Sequence, residues 1–177
     1  MKKLLLIIIL TISMTATTQA ATLIDTTLFN ANGTVEGGDL VGYGWGDVNK
    51  LDFISDYVTW KHQFVFNPPA DQLLSATLTL TLRDDNDPIF AEFGFGWTED
   101  GSWDIGEVDT GDYAYGINVA YLADGVFQVT LGSLLGDFYI DQSVLNIQYT
   151  SVPEPLSATL LGFGLVGIAT LRRKFKS

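Results

Sequence analysis

The chain has 177 residues, no cysteine and a formal net charge of −12, and 47% of its residues are hydrophobic. Six of the nine basic residues lie near the two ends, so residues 22–151 hold three basic and 20 acidic side chains, a net charge of −17. A surface of this sign repels nucleic acid and anionic lipid, which excludes nucleic acid as a partner. Without cysteine there are no disulfides, and with a single histidine a zinc site is disfavoured.

The first 20 residues have the pattern of a secretory signal peptide. Lys2 and Lys3 precede an apolar run over residues 4–10, and small and polar residues continue to Ala20. Signal peptides combine a basic start, an apolar run of this length and a small residue at the cleavage site. We therefore expect residues 1–20 to form a signal helix that engages the secretion machinery and is removed by signal peptidase. An uncleaved signal anchor is the alternative.

Residues 21–151 are predicted to be one all-β domain, a single antiparallel β-sandwich that is jelly-roll-like. In residues 76–82, threonine alternates with alanine and leucine, a period of two that is typical of a strand with one apolar face. Turn-forming residues separate several short strands of this kind, and no helical period interrupts them. The stronger strand candidates are residues 58–66, 76–82, 89–97, 126–131 and 144–149, and the weaker ones are 23–29, 51–54 and 117–122.

Two features in the first half of the domain have an ordinary structural interpretation. Residues 37–46 are rich in glycine but open no helix, so they are predicted to be a flexible loop or a sheet edge rather than a phosphate-binding loop. His62 lies in a predicted strand, without cysteine and without a recognisable serine or aspartate partner. A structural role is therefore expected for His62.

An acidic turn between two strong strand candidates has the oxygen ligands that calcium prefers. Asp84, Asp85, Asn86 and Asp87 are consecutive, and Glu92 follows shortly after. Calcium binds six to eight oxygens from carboxylates, amides and carbonyls. The order of residues is not that of an EF-hand loop. Two interpretations stay open, a calcium site and a solvated turn of good turn-forming residues.

A second acidic stretch, residues 99–112, is interleaved with glycine and is predicted to be a long loop. Either a cation orders this loop or it is mobile. Five aromatic residues lie in or next to the glycine-rich and acidic loops: Trp45, Trp97, Trp103, Tyr113 and Tyr115. Aromatic rings with nearby carboxylates bind sugars by stacking and hydrogen bonding, and Trp103, Tyr113 and Tyr115 are the candidate ligand-binding residues. The alternative is that these rings belong to the core.

The last 26 residues have three parts. Pro153, Glu154 and Pro155 come first, residues 156–171 follow without a charge, and residues 172–177 form a basic end. Sixteen helical residues rise roughly 24 Å, which is short for a bilayer core of about 30 Å. The basic end favours the cytoplasmic side of a membrane. Because proline disfavours helix in the residue before it, Glu154 is expected to lie in an extended segment outside the membrane.

This combination resembles the PEP-CTERM sorting signal of Gram-negative bacteria, over residues 151–177. The resemblance implies that residues 152–177 are a sorting tail, with its motif at 153–155 and a transmembrane helix at 156–171. A plain single-pass membrane tail is the alternative. It also implies an interaction with exosortase, a membrane-embedded cysteine protease thought to process such tails. The expected product is an exported protein, held in the membrane as a precursor and then found in the cell envelope, on the outer surface or outside the cell.

The function expected of residues 21–151 is structural or adhesive, with exopolysaccharide as the candidate partner and calcium as the candidate cofactor. No catalytic residues stand out, because 20 carboxylates place some pair at a glycosidase spacing by chance. A small secreted carbohydrate-active enzyme, a glycoside hydrolase or a lyase, is the alternative. A deep cleft with two convergent carboxylates would favour the enzyme, whereas a flat aromatic face would favour binding.

Overall fold

The computed structural model describes residues 19–84 and 91–152. These residues form eleven β-strands and one turn of 3₁₀ helix (Val119–Leu122), with no α-helix among them. The strands, in chain order, are β1 (Ala20–Phe29), β2 (Val35–Glu36), β3 (Asp39–Tyr43), β4 (Lys50–Leu51), β5 (Tyr57–Gln63), β6 (Ala70–Asp84), β7 (Phe93–Thr98), β8 (Gly101–Glu107), β9 (Gly111–Ile117), β10 (Val126–Leu135) and β11 (Phe138–Ser151).

Two antiparallel sheets pack face to face. The first has the order β2-β1-β11-β6-β9, with the short β4 also paired to β11, and the second has the order β3-β5-β10-β7-β8. The prediction of an all-β antiparallel sandwich is confirmed. The predicted signal helix and transmembrane helix lie outside the described residues.

The core between the sheets is built by the alternation seen in the sequence. On β6, Leu78, Leu80 and Leu82 are fully buried, and the threonines between them point away from the core. The opposite sheet contributes Trp60 and Phe127, which are also fully buried. Full burial of one such side chain stabilises the fold by roughly 1.5–3 kcal/mol. Apolar burial along both sheets is therefore the main stabilising contribution.

The segment predicted to be a long acidic loop is mostly strand. Residues 101–107 and 111–117 form β8 and β9, which lie at the edges of the two sheets. The weak strand candidate at 117–122 is instead the 3₁₀ turn. The glycine-rich stretch includes β3, which is an edge strand. This agrees with the second of the two interpretations given for residues 37–46, a sheet edge.

The chain enters and leaves the sandwich at the same end. Ala20 at the start of β1 pairs with Thr150 near the end of β11. Loop 44–56, which includes the two-residue β4, lies at the other end, where the Ser55 N–H donates to the Ser133 carbonyl at 3.0 Å. β11 has 14 residues, so roughly 45 Å separates the two ends.

Loop 44–56 is held in shape by one buried carboxylate. Asp56 is 1% exposed and accepts backbone N–H groups from Trp45 at 2.7 Å, Asp52 at 2.8 Å and Tyr57 at 2.9 Å. Hydrogen bonds to a charged acceptor are shorter and stronger than neutral ones. These three hydrogen bonds therefore stabilise the conformation of the loop that carries the exposed Trp45 side chain.

Two of the three basic side chains of the sandwich lie together on the outer face of the first sheet. The Lys50 ammonium lies 2.8 Å from Asp52 and also pairs with Asp137, and Arg83 lies 4.2 Å from the ring centre of Tyr139. Burial alone would lower the pKa of Lys50, but hydrogen bonds with Asp137 and Asp52 raise it above its ordinary value. Lys50 and Arg83 are thus both occupied in local contacts.

Candidate functional site

The structure describes two of the five residues that were expected to bind calcium. Asp84 ends β6, and Glu92, which is 5% exposed, lies just before β7. Both make interactions with neighbouring groups. Asp85, Asn86 and Asp87 lie outside the described residues. Within residues 19–84 and 91–152, no three histidine, aspartate or glutamate side chains come together as a metal site.

Hydrogen bonds from within the chain order the second acidic stretch. The Tyr113 hydroxyl accepts the Asp109 N–H at 2.6 Å and donates to the Asp109 carbonyl at 3.0 Å, which fixes the turn between β8 and β9. Asp100 accepts the Asn118 N–H at 2.8 Å, and Asp112 accepts the Thr81 hydroxyl at 2.6 Å. Tyr113, a candidate ligand-binding residue, is therefore engaged in holding this turn.

Trp103 and Tyr115 lie at the open side of the sandwich, where β8 and β9 face each other. Their ring centres are 4.9 Å apart, and both side chains are half-buried against the core. Burial raises the pKa of the Tyr115 hydroxyl above its ordinary value. The two rings line a pocket of about 320 Å³ together with Asp100 and Ser102. The sequence therefore selected two residues that do share a pocket.

A row of aromatic side chains covers the outer face of β7. Phe93, Phe95 and Trp97 lie on the outward side of the strand, where Trp97 is 62% exposed and Phe95 is half-buried over Gly132. The buried positions between them are Gly94 and Gly96. This is the reverse of the usual arrangement, in which the apolar row of a strand faces the core. A large apolar side chain that is exposed in a row of its kind marks an interaction surface more often than an isolated one does.

Glycine occupies the inward positions of β7 because other side chains fill that space. A Cβ at position 94 would lie 3.2 Å from the ring of Phe138 and 3.3 Å from Ile105. A Cβ at position 96 would overlap the indole of Trp103. The core is thus complete without the aromatic residues of β7, which are left free to face outward.

Polar side chains continue this face across the sheet. Thr130 of β10 pairs with Trp97 on one side and with Thr59 of β5 on the other, and the two threonine hydroxyls are 2.9 Å apart. Beside Trp97 is a pocket of about 310 Å³, also lined by Thr98, Glu99, Gln128 and Thr130. We call the outward side chains of β5, β10 and β7 the aromatic face. It combines a large exposed ring with hydroxyl and amide groups.

His62 has the two partners that the sequence did not reveal. Its Nδ1 lies 2.7 Å from Asp25 Oδ2, and its Nε2 lies 2.9 Å from Ser143 Oγ. The Trp60 indole N–H donates to the same Nε2 at 3.3 Å, which assigns the proton to Nδ1. The order of groups is that of a serine–histidine–aspartate triad. However, His62 and Ser143 are both 0% exposed, so a substrate has no access to the serine hydroxyl.

Sequence reasoning placed Trp97 among the aromatic residues near the loops without selecting it as a ligand-binding residue, and it did not find the partners of His62. For Trp97 a signal was present, since glycine alternates with aromatic residues in residues 93–97. Strand alternation alone does not say which side faces the core. For Asp25 and Ser143 no local signal exists, because they lie 37 and 81 positions from His62 and come together only by packing of the two sheets.

The sorting motif Pro153, Glu154 and Pro155 lies outside the described residues. In the described part of the chain, no helix has the length and apolar character needed to cross a bilayer. Comparison with models of known protein families gave no match. Comparison with curated proteins gave no match either.

Proposed function

We propose that this chain is an exported protein of the cell envelope or extracellular matrix, with a structural or adhesive role that it performs by binding polysaccharide. The observation that carries the proposal is the outward aromatic row of β7, with glycine at the inward positions. Sugar rings have apolar faces and hydroxyl edges, so they stack on aromatic rings while hydroxyl and amide side chains receive their hydrogen bonds. Trp97, Thr130 and Gln128 supply both kinds of group.

The two ends of the sequence support the proposed export of the protein to the cell envelope or extracellular matrix. Residues 1–20 direct it to the secretion machinery and signal peptidase, and residues 152–177 hold the precursor in the membrane until exosortase acts on the tail. Calcium at residues 84–92 belongs to the same proposal, as a cofactor that would offset the net charge of −17 in residues 22–151.

The order of the strands supports a jelly roll as the finer description of the sandwich. Four main strands, β1-β11-β6-β9, face four others, β5-β10-β7-β8, as in an eight-stranded double sheet. β7 lies inside its sheet, between β10 and β8. Its aromatic side chains therefore belong to a continuous face rather than to an edge.

The test replaces the exposed ring and measures polysaccharide retention. Trp97→Ala is expected to weaken retention of neutral and amino-sugar polymers in affinity gels about tenfold, equivalent to about 1.4 kcal/mol. The melting temperature should change little, since Trp97 is mostly exposed. Trp45→Ala is the matched control, because Trp45 is 70% exposed and lies outside the aromatic face. Equal retention by the wild-type protein and both variants would remove the aromatic face from the proposal.

A further inference from the structure

The pocket beside Trp97 pairs an exposed indole with a carboxylate. Glu99 follows Trp97 by two positions, and both residues line the same pocket of about 310 Å³. The ion pairs found among the described residues are made by Lys50 and Arg83, and Glu99 takes part in none of them. The face of an indole attracts cations, and a carboxylate binds an ammonium group by charge and by hydrogen bonds. This pair is therefore suited to a positively charged group.

Most of the charges around the aromatic face are negative. Asp104 pairs across the strands with Phe95, and Glu107 pairs with Phe93. Asp39 lies opposite Lys61 in the register of β3 and β5. Among the described residues, the Lys61 ammonium is the one cation on this face. Because carboxylates outnumber that single lysine, the face attracts cationic ligands and repels anionic ones.

We infer that the polysaccharide bound here is a hexosamine polymer in which at least some amino groups are free. The inference rests on the proposed function and specifies its ligand. The sugar ring stacks on Trp97, its protonated amine lies toward Glu99, and its hydroxyls reach Gln128 and Thr130. An N-acetylated or neutral polymer keeps the stacking but loses the charge interaction. An anionic polymer is repelled.

The test compares two oligomers of equal length, one of glucosamine and one of N-acetylglucosamine. Binding to the full-length protein in detergent is measured by calorimetry at low and at high salt. We expect the glucosamine oligomer to bind about tenfold more tightly at low salt, with the difference shrinking as salt screens the contact. Glu99→Gln should remove the difference and leave binding of the acetylated oligomer unchanged. Trp97→Ala should weaken binding of both.

Glu36→Gln is the matched control, since it makes the same change of charge on β2 in the other sheet. Thermal melting checks that each variant folds, and the acetylation of the ligand tests the same contact without altering the protein. Equal binding of both oligomers, unchanged by Glu99→Gln, would overturn the free-amine inference but leave the proposed function standing. Tighter binding of an anionic polymer would also overturn the inference. Failure of every polysaccharide to bind would remove the proposed function as well.

Discussion

Gly96 illustrates how a single small residue determines which side of β7 faces the core. The Trp103 indole lies against the backbone at Gly96, and a Cβ there would overlap its Cε2, Cζ2 and Nε1 atoms. Trp103 in turn packs on Tyr115 of the opposite sheet. Because the inward side is occupied in this way, the large side chains of β7 are placed on the outward side.

Gly96→Ala is expected to destabilise the protein by roughly 1–3 kcal/mol, the usual cost of forcing an extra carbon into a filled site. Gly116→Ala is the control, because a Cβ at position 116 meets nothing within 4 Å. The free energy of unfolding from urea titration measures both. If the two substitutions cost the same, the packing of Trp103 against Gly96 is not what requires glycine.

At the residue scale, the sequence indicated that tryptophan belongs to the candidate site, but it did not indicate which tryptophan is exposed in the fold. Trp103 was expected in an acidic loop, but it lies in β8 and points inward. Trp97 lies six positions earlier in a strand that was expected, yet it carries the exposed ring. The exposure of an aromatic residue depends on what fills the other side of the sheet, and that information is not local.

At the scale of elements, the His62 network joins the two sheets through a polar contact inside an apolar core. His62 lies on β5, whereas Asp25 and Ser143 lie on β1 and β11 of the other sheet. Buried polar groups cost free energy unless their hydrogen bonds are satisfied. The network therefore favours the one alignment of the sheets in which all three groups meet.

His62→Ala is expected to cost roughly 3–5 kcal/mol, because it leaves a cavity and removes a partner from the Ser143 hydroxyl and the Asp25 carboxylate. Gln63→Ala, at the exposed neighbouring position of β5, should stay within about 0.5 kcal/mol of wild type. Chemical denaturation measures both. A cost for His62→Ala no larger than for Gln63→Ala would show that the network does not hold the sheets.

A hydrolysis assay distinguishes a structural role of the His62 network from a catalytic one. Since Ser143 is fully buried, we expect no ester or glycoside hydrolysis by the wild-type protein and none by Ser143→Ala. Turnover by wild type that a folded Ser143→Ala variant lacks would assign the network a catalytic role.

β8 and β9 are the longest strands that the sequence did not predict. Their glycine and aspartate content is typical of loops, and these residues are depleted in strands. Pairing with β7 and β6 nevertheless forms them, and Trp103, Ile105, Tyr113 and Tyr115 provide inward side chains at a spacing of two. Tertiary pairing thus outweighs local propensity. β6, in contrast, was predictable over residues 76–82, where threonine alternates with alanine and leucine.

At the scale of the whole molecule, both chain ends leave the sandwich at one end. In the proposed arrangement, a tail anchored in a membrane would hold the domain by that end, with loop 44–56 on the far side. The distribution of charge fits this geometry, since four of the basic residues follow the apolar span at residues 172–177 and 20 acidic residues lie in the domain outside it. If residues 156–171 cross a membrane as proposed, the basic residues that follow them favour the cytoplasmic side for that end.

Processing of the tail provides the test of this arrangement. In a host with exosortase, the mature protein is expected to begin near Ala21 and to lack the apolar span. Pro153→Ala with Glu154→Ala removes two of the three motif residues, so the full tail should remain in the membrane fraction. Val152→Ala, just outside the motif, is the control and should be processed normally. Mass spectrometry of the mature C-terminus measures the outcome. Normal cleavage and release of the double variant would show that residues 153–155 do not direct the sorting.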